Sequence, residues 1–197
     1  MNLAQVSQVL VVLLMAASLC ILMLQNFRLA LAALAAQYLL IFLLITSVLP
    51  SSLALVKLLV GWMITALLVS EIRLIEKDWE NRIALSGNLL RGGVLFLLWI
   101  VVYLGLPLIQ LWIPVNQTVL LGGLILFSGG LIQVGLSNQV LRVSLGLLTL
   151  FSGFEIIYAA LEPSVLVSGL LVLVNIGIGL TGLFLVIRGK EENEVIQ

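Results

Sequence analysis

The sequence predicts an all-α fold, a polytopic transmembrane bundle of seven helices. Of its 197 residues, 62% are hydrophobic and only 9% are charged, whereas a soluble domain carries about 25% charged residues. The apolar residues form long continuous runs, unlike the short alternating segments of a membrane β-barrel. Because lipid cannot hydrogen-bond to backbone groups, runs of this kind fold as helices.

Polar residues and prolines divide the chain into seven apolar spans, each near the ~20 residues that cross a bilayer. The predicted spans are Val6–Leu24, Leu29–Leu49, Leu53–Ile72, Gly92–Trp112, Thr118–Leu136, Val143–Leu161 and Ser164–Ile187. They end, in order, at Gln25-Asn26, Pro50-Ser51-Ser52, the charged segment Arg73–Arg91, Pro114, Ser137-Asn138-Gln139, Glu162-Pro163 and the polar tail Arg188–Gln197.

Residues 1–91 are predicted to form an N-terminal three-span unit with an amphipathic cytoplasmic segment, and residues 92–197 a C-terminal four-span unit. Glycines are frequent in spans 5 and 7, and small residues let helices approach closely in lipid. We therefore expect the last three spans to pack tightly. In the amphipathic segment, Ile75, Trp79 and Ile83 share one helical face. That pattern is typical of a helix on lipid headgroups, with a docking surface for a partner subunit as the alternative.

The distribution of Lys and Arg predicts the orientation. With seven spans, eight of the nine Lys and Arg residues fall on one side, and only Lys57 falls on the other. Cytoplasmic loops carry the excess of positive charge. The N-terminus is therefore expected outside and the C-terminus in the cytoplasm, in a cell inner or plasma membrane.

Several function classes are disfavoured by composition. The formal net charge is zero, which gives no electrostatic footprint for nucleic acid. There is no His and a single cysteine, Cys20, so the usual metal ligands are missing. No nucleophile–base pair or phosphate-binding loop is recognisable. We therefore predict no catalytic residues and no cofactor in this chain.

Span 6 carries a carboxyl group deep in its apolar run. Thr149, Ser152 and Glu155 recur at a three-residue spacing and share one helical face. A central charge costs about 2.5–3.5 kcal/mol in a membrane, so Glu155 should face protein. Asn175 lies at a similar depth in span 7. Two interpretations stay open: a proton path, or a neutral Glu155 bonded to Asn175 or to a backbone carbonyl as packing glue.

Two further polar residues lie inside predicted spans. Gln37 is near the centre of span 2, where an amide is typical of an interhelical hydrogen bond. Lys57 is only a few residues inside span 3, and we expect it to snorkel to the outer headgroups. A place in the proton path is the alternative for both. The proton-path candidates are Glu155, Asn175, Ser152, Thr149, Gln37 and Lys57.

Four stretches carry a family resemblance. They are the turn Ser137-Asn138-Gln139-Val140-Leu141-Arg142, the helix opened by Gly146 with Gly153-Phe154-Glu155, the stretch Asn175-Ile176-Gly177-Ile178-Gly179-Leu180, and Phe27-Arg28-Leu29 followed by Gln37. The first three resemble the subunit K family of respiratory complex I. The fourth resembles the start of the related larger membrane protein of group 4 membrane-bound hydrogenases, the hydrogenase-4 component E type.

The sequence departs from the family pattern at both acids. Leu148 stands where the first acid is expected, and Glu155 follows seven residues later, about two turns along the same face. Asn175 stands at the second acid and cannot carry a proton.

The resemblance implies a non-catalytic membrane subunit of a complex I-like or hydrogenase-like proton-translocating assembly. Its partners would be the lipid bilayer and antiporter-like subunits. A stand-alone small-solute or ion transporter and a purely structural membrane protein are the alternatives.

Overall fold

A computed structural model describes residues 3–75 and 85–195, and within them every regular element is an α-helix. The helices are α1 (Leu3–Met23), α2 (Phe27–Ile45), α3 (Ser51–Ile75), α4 (Leu85–Trp112), α5 (Gln117–Gly135), α6 (Val140–Leu161) and α7 (Val165–Val195). All seven are long and apolar enough to cross a membrane. The predicted helical class and the number of spans are therefore confirmed, as a multi-pass membrane protein requires.

Most helix boundaries lie within a few residues of the predicted ones, but α2 ends four residues early, at Ile45 instead of Leu49. The hydroxyl of Thr46 donates to the Leu43 carbonyl at 2.8 Å, and that of Ser47 donates to the Leu44 carbonyl at 2.7 Å. These bonds satisfy carbonyls that lose their helical partners at a C-terminus. The predicted amphipathic segment lies mostly outside the described residues.

Asparagine side chains begin two of the helices. The Asn26 Oδ1 accepts from the backbone N–H of Arg28 at 2.9 Å at the start of α2. The Asn116 Oδ1 accepts from the N–H of Thr118 at 3.0 Å at the start of α5. Because the first N–H groups of a helix have no internal partner, each asparagine fixes the residue at which its helix begins.

Helix α6 lies at the centre of the bundle, where it contacts α2, α5 and α7. Within the apolar windows, 61% of α6 is buried and only 17% of α4. Helix α1 packs against α2, α4 and α5, and α3 packs against α2 and α7. The predicted division at residue 91 stays a prediction, and helices from both sides of it are direct neighbours.

The closest helix pair is α5 with α6, and glycines make it possible. Gly123 and Gly130 on α5 face Gly153 and Gly146 on α6, in antiparallel order. A Cβ added to any of the four would press on backbone atoms of the opposite helix. On each helix the two glycines are seven residues apart, which returns them to one face.

Glycines also admit α7 to the bundle. A Cβ on Gly179 would collide with Ile64 of α3, and one on Gly182 with the Ser144 hydroxyl of α6. The buried positions of α7 recur every three or four residues and are Ser168, Leu171, Asn175, Gly179 and Gly182. Asn175 is thereby turned toward protein and away from the exposed face of α7.

Candidate functional site: a buried charge pair

Lys57 and Glu155 form an ion pair inside the bundle. The Lys57 Nζ lies 3.5 Å from the Glu155 Oε1, and their side chains are only 6% and 4% exposed. Lys57 lies near the start of α3 and Glu155 near the end of α6, each about 9 Å along its helix from that terminus. Neither of these two atoms makes a hydrogen bond with the described residues.

The expectation that Lys57 snorkels to the headgroups is wrong. Its side chain is buried against Glu155. On α3 the buried positions include Ala54, Lys57, Gly61, Ile64 and Leu68, so Lys57 belongs to the stripe that faces the neighbouring helices. Sequence distance from a helix end indicates the depth of a side chain, but it does not indicate the direction in which the helix turns that side chain.

Tyr38 connects this pair to α7. Its hydroxyl donates to the Asn175 Oδ1 at 3.5 Å, the long limit of a hydrogen bond. The same hydroxyl faces Ser152 and lies within electrostatic range of Glu155. The expected bond between Glu155 and Asn175 is therefore not the one observed, because Glu155 pairs with Lys57 and Asn175 pairs with Tyr38.

The Tyr38 ring lies directly over Gly61 of α3. A Cβ on Gly61 would collide with the ring carbons of Tyr38. Gly61 is one turn after Lys57 on the same face of α3. The missing side chain leaves the space that places the tyrosine hydroxyl beside α6 and α7.

Gln37 and Thr149 extend the polar cluster. The Gln37 Nε2 donates to the Thr149 Oγ1 at 3.5 Å, between α2 and α6, which confirms an interhelical hydrogen bond at this position. The Gln37 Oε1 is buried without a partner among the described residues. The Ser152 hydroxyl donates to the Leu148 carbonyl at 2.7 Å, which leaves its oxygen free to accept.

All six sequence candidates are buried, and they come from four helices. We name the buried polar cluster by its members, which are Gln37, Tyr38, Lys57, Thr149, Ser152, Glu155 and Asn175. It offers one amine and one carboxyl that can exchange a proton, surrounded by hydroxyls and amides that can both donate and accept. No group of three metal-ligating side chains occurs among the described residues.

Sequence reasoning missed Tyr38 as a member of this cluster. A tyrosine in an apolar helix is commonly a core or interface residue, so its type alone gave no reason to select it. The usable signal was its place directly after Gln37, together with Gly61 one turn beyond Lys57. Neither signal specifies that these residues face each other.

A groove of 540 Å³ runs between α6 and α7 outside the cluster. Its polar lining residues are Asn138, Ser144 and Thr181. The rest of its lining is apolar or glycine: Val140, Val143, Leu147, Val174, Gly177, Ile178, Gly182 and Leu185. It brings together no titratable side chains and therefore offers no chemistry of its own.

No family model, curated protein or solved structure matches this chain. The fold and the cluster define its class directly: a seven-helix bundle of the multi-pass membrane type with a charge pair in its core.

Proposed function

We propose that this chain is an integral membrane subunit of a proton-translocating assembly, without a catalytic centre of its own, and that Lys57 and Glu155 pass protons. The observation that carries the proposal is the 3.5 Å contact between their side chains inside the bundle. Ionisable groups at membrane depth are rare and commonly mark ion or proton pathways.

Packing alone gives little reason for the pair. Replacing a buried ion pair by apolar residues is often neutral or stabilising, because desolvation offsets the attraction. A proton transfer from the Lys57 ammonium to the Glu155 carboxylate would leave both groups neutral. The two protonation states have the same net charge, so a proton can move between the groups without creating a lone charge in the low-dielectric core.

The rest of the cluster supplies donors and acceptors next to the pair. Tyr38 faces Ser152 and contacts Asn175, so polar groups continue from α6 to α7. Asn175 cannot carry a proton, but it can orient the tyrosine hydroxyl. Lys57 adds a second titratable group, and this addition addresses the main departure of the sequence from the resembling families, the loss of acids in series.

The resemblance to the subunit K family and to the related hydrogenase membrane protein supports a place in a complex I-like or hydrogenase-like assembly beside antiporter-like subunits. The distribution of charge supports the orientation, with the N-terminus outside a cell inner or plasma membrane and the C-terminus in the cytoplasm. Lys57, the one exception in the loop count, is buried in the bundle, so it does not weaken the bias.

The proposal is tested by purifying the tagged full chain from its source cells in mild detergent and measuring the proton-coupled activity of the assembly. We expect antiporter-like subunits to co-purify. We expect Glu155→Gln to lower the activity by about tenfold or more while the assembly stays intact. The matched control is Glu162→Gln, which alters an exposed acid on the same helical segment.

Two outcomes contradict this proposal. Unchanged activity with Glu155→Gln would assign the pair a structural role. Proton or solute flux through liposomes that contain only this chain, with no partner recovered from cells, would favour the stand-alone transporter.

A further inference from the structure

The end of the bundle away from the charge pair holds a nearly buried arginine. Arg142, in the first turn of α6, is 3% exposed. Its Nε donates to the Gln139 Oε1 at 2.9 Å, and its Nη2 donates to the Leu24 carbonyl at 3.0 Å. The guanidinium also lies 5.4 Å from the centre of the Phe27 ring. These partners are neutral, so they leave the positive charge uncompensated.

A second arginine approaches the same place from α4. The Arg91 Nη2 donates to the Leu136 carbonyl at 2.7 Å, at the end of α5. Its Nη1 is buried without a hydrogen-bond partner among the described residues. Arg91 and Arg142 are close enough for their charges to interact, and like charges at short range repel each other.

Two unpartnered polar groups lie on the last turns of α5. The Gln133 Nε2 and the Ser137 hydroxyl are buried without hydrogen bonds to the described residues. Gly130 packs against Gly146 in the antiparallel α5–α6 pair. This register places the end of α5, with Ser137, opposite the start of α6, with Arg142.

No described carboxylate balances these arginines. The acids whose side chains the structure describes are Glu155 and Glu162, and both lie in the last turns of α6, at the opposite end of the bundle from Arg142. Two guanidinium groups with additional free donors attract an anion, and arginine binds phosphate oxygens with paired hydrogen bonds.

We propose that Arg91 and Arg142, with donors from Gln133 and Ser137, bind a phosphate oxyanion supplied by the headgroup of an anionic membrane lipid. The helix ends that carry these arginines bound the apolar windows of α4 and α6, so they fall at headgroup depth. Arg91 is partly exposed and gives a headgroup access to the site. This inference does not depend on proton transfer by Lys57 and Glu155.

The test is native mass spectrometry of the full chain in detergent, titrated separately with phosphatidylglycerol and phosphatidylcholine. We expect the wild type to retain phosphatidylglycerol about fivefold more strongly. Arg91→Gln should abolish the preference, and Arg91→Lys should keep part of it. Arg188→Gln removes an exposed arginine from the last turns of α7 and should leave the preference unchanged. Equal retention of both lipids by the wild type, or equal loss in both glutamine variants, would overturn the proposal.

Two further measurements distinguish other sources of the anion. In phosphatidylcholine nanodiscs, inorganic phosphate should not raise the unfolding temperature. A rise that Arg91→Gln abolishes, with no preference for phosphatidylglycerol, would make free phosphate the ligand and overturn the lipid assignment. The variant Glu76→Gln/Asp78→Asn/Glu80→Gln should keep the lipid preference. If it instead matched the instability of Arg91→Gln in a chain that shows no lipid preference, the anion would be the protein's own carboxylate.

Discussion

Lys57 and Glu155 depend on each other because each would be a lone charge without its partner. They lie on helices separated by most of the chain, and the described structure gives Glu155 no other cation. Removing one member of a buried pair leaves an uncompensated charge, which costs more than removing both. Their stability effects should therefore be strongly non-additive.

A double-mutant cycle measures this dependence. Lys57→Met and Glu155→Gln should each lower the free energy of unfolding by about 3–5 kcal/mol, and the double variant should lose less than either one. Denaturant unfolding in detergent micelles is the measurement, with Glu162→Gln as the unaffected control. Additive losses would show that the two side chains do not form a pair.

Tyr38→Phe removes one hydroxyl from the cluster and leaves the ring over Gly61. We expect a loss of about 0.5–1.5 kcal/mol, because Asn175 loses the hydrogen bond that Tyr38 donates. The matched control is Tyr103→Phe, since Tyr103 is 64% exposed. Thermal unfolding in the same detergent compares the two variants. Equal stability of both variants would mean that the long contact at Asn175 contributes nothing.

At the scale of elements, the α5–α6 pair is held by backbone proximity. In lipid, burial of apolar surface provides little drive for helix association, so close packing and polar contacts carry the interaction. Gly123 and Gly130 lie against Gly153 and Gly146 and allow that proximity along several turns. Helix α6, which carries Glu155, is positioned by this contact.

Gly153→Ala tests the contact. The added methyl group would meet the backbone of Phe127 and Gly123, so we expect a loss of about 1–3 kcal/mol from overpacking. Gly169→Ala is the control, because nothing lies within 4 Å of a Cβ at Gly169 on α7. Its stability should be unchanged or slightly raised, since alanine favours helix. Comparable losses in both variants would indicate a general glycine effect in place of a helix contact.

At the scale of the whole molecule, the cluster joins the two units predicted from sequence. Gln37, Tyr38 and Lys57 come from the N-terminal unit, while Thr149, Ser152, Glu155 and Asn175 come from the C-terminal unit. The α2–α6 and α3–α7 contacts bring them together. A proton path through this cluster would require both units in one bundle.

The orientation is tested by cysteine labelling in a Cys20→Ser background, because Cys20 is exposed. In intact cells, a membrane-impermeant maleimide should label Glu162→Cys, beyond α6. It should label Asn138→Cys, between α5 and α6, only after permeabilisation. The reverse pattern would contradict the positive-inside prediction, and labelling of both sites in intact cells would contradict a span between them.

The apolar spans and the buried polar positions could be predicted because both follow from local chemistry. An apolar run has one stable backbone solution in lipid, and a carboxyl such as Glu155 must avoid lipid wherever the helices meet. The partner of Glu155 could not be predicted in the same way. Lys57 is almost a hundred residues away, and its direction depends on the rotation of α3.

The sequence by itself determined seven helices, their approximate limits and the set of polar side chains that lipid would not accept. Only the tertiary structure decided that Glu155 meets Lys57, that Tyr38 reaches Asn175, and that Arg91 approaches Arg142. The physical reason is that hydropathy acts on each segment independently, whereas the pairing of side chains depends on how neighbouring helices rotate and approach, which glycines such as Gly61 and Gly153 permit.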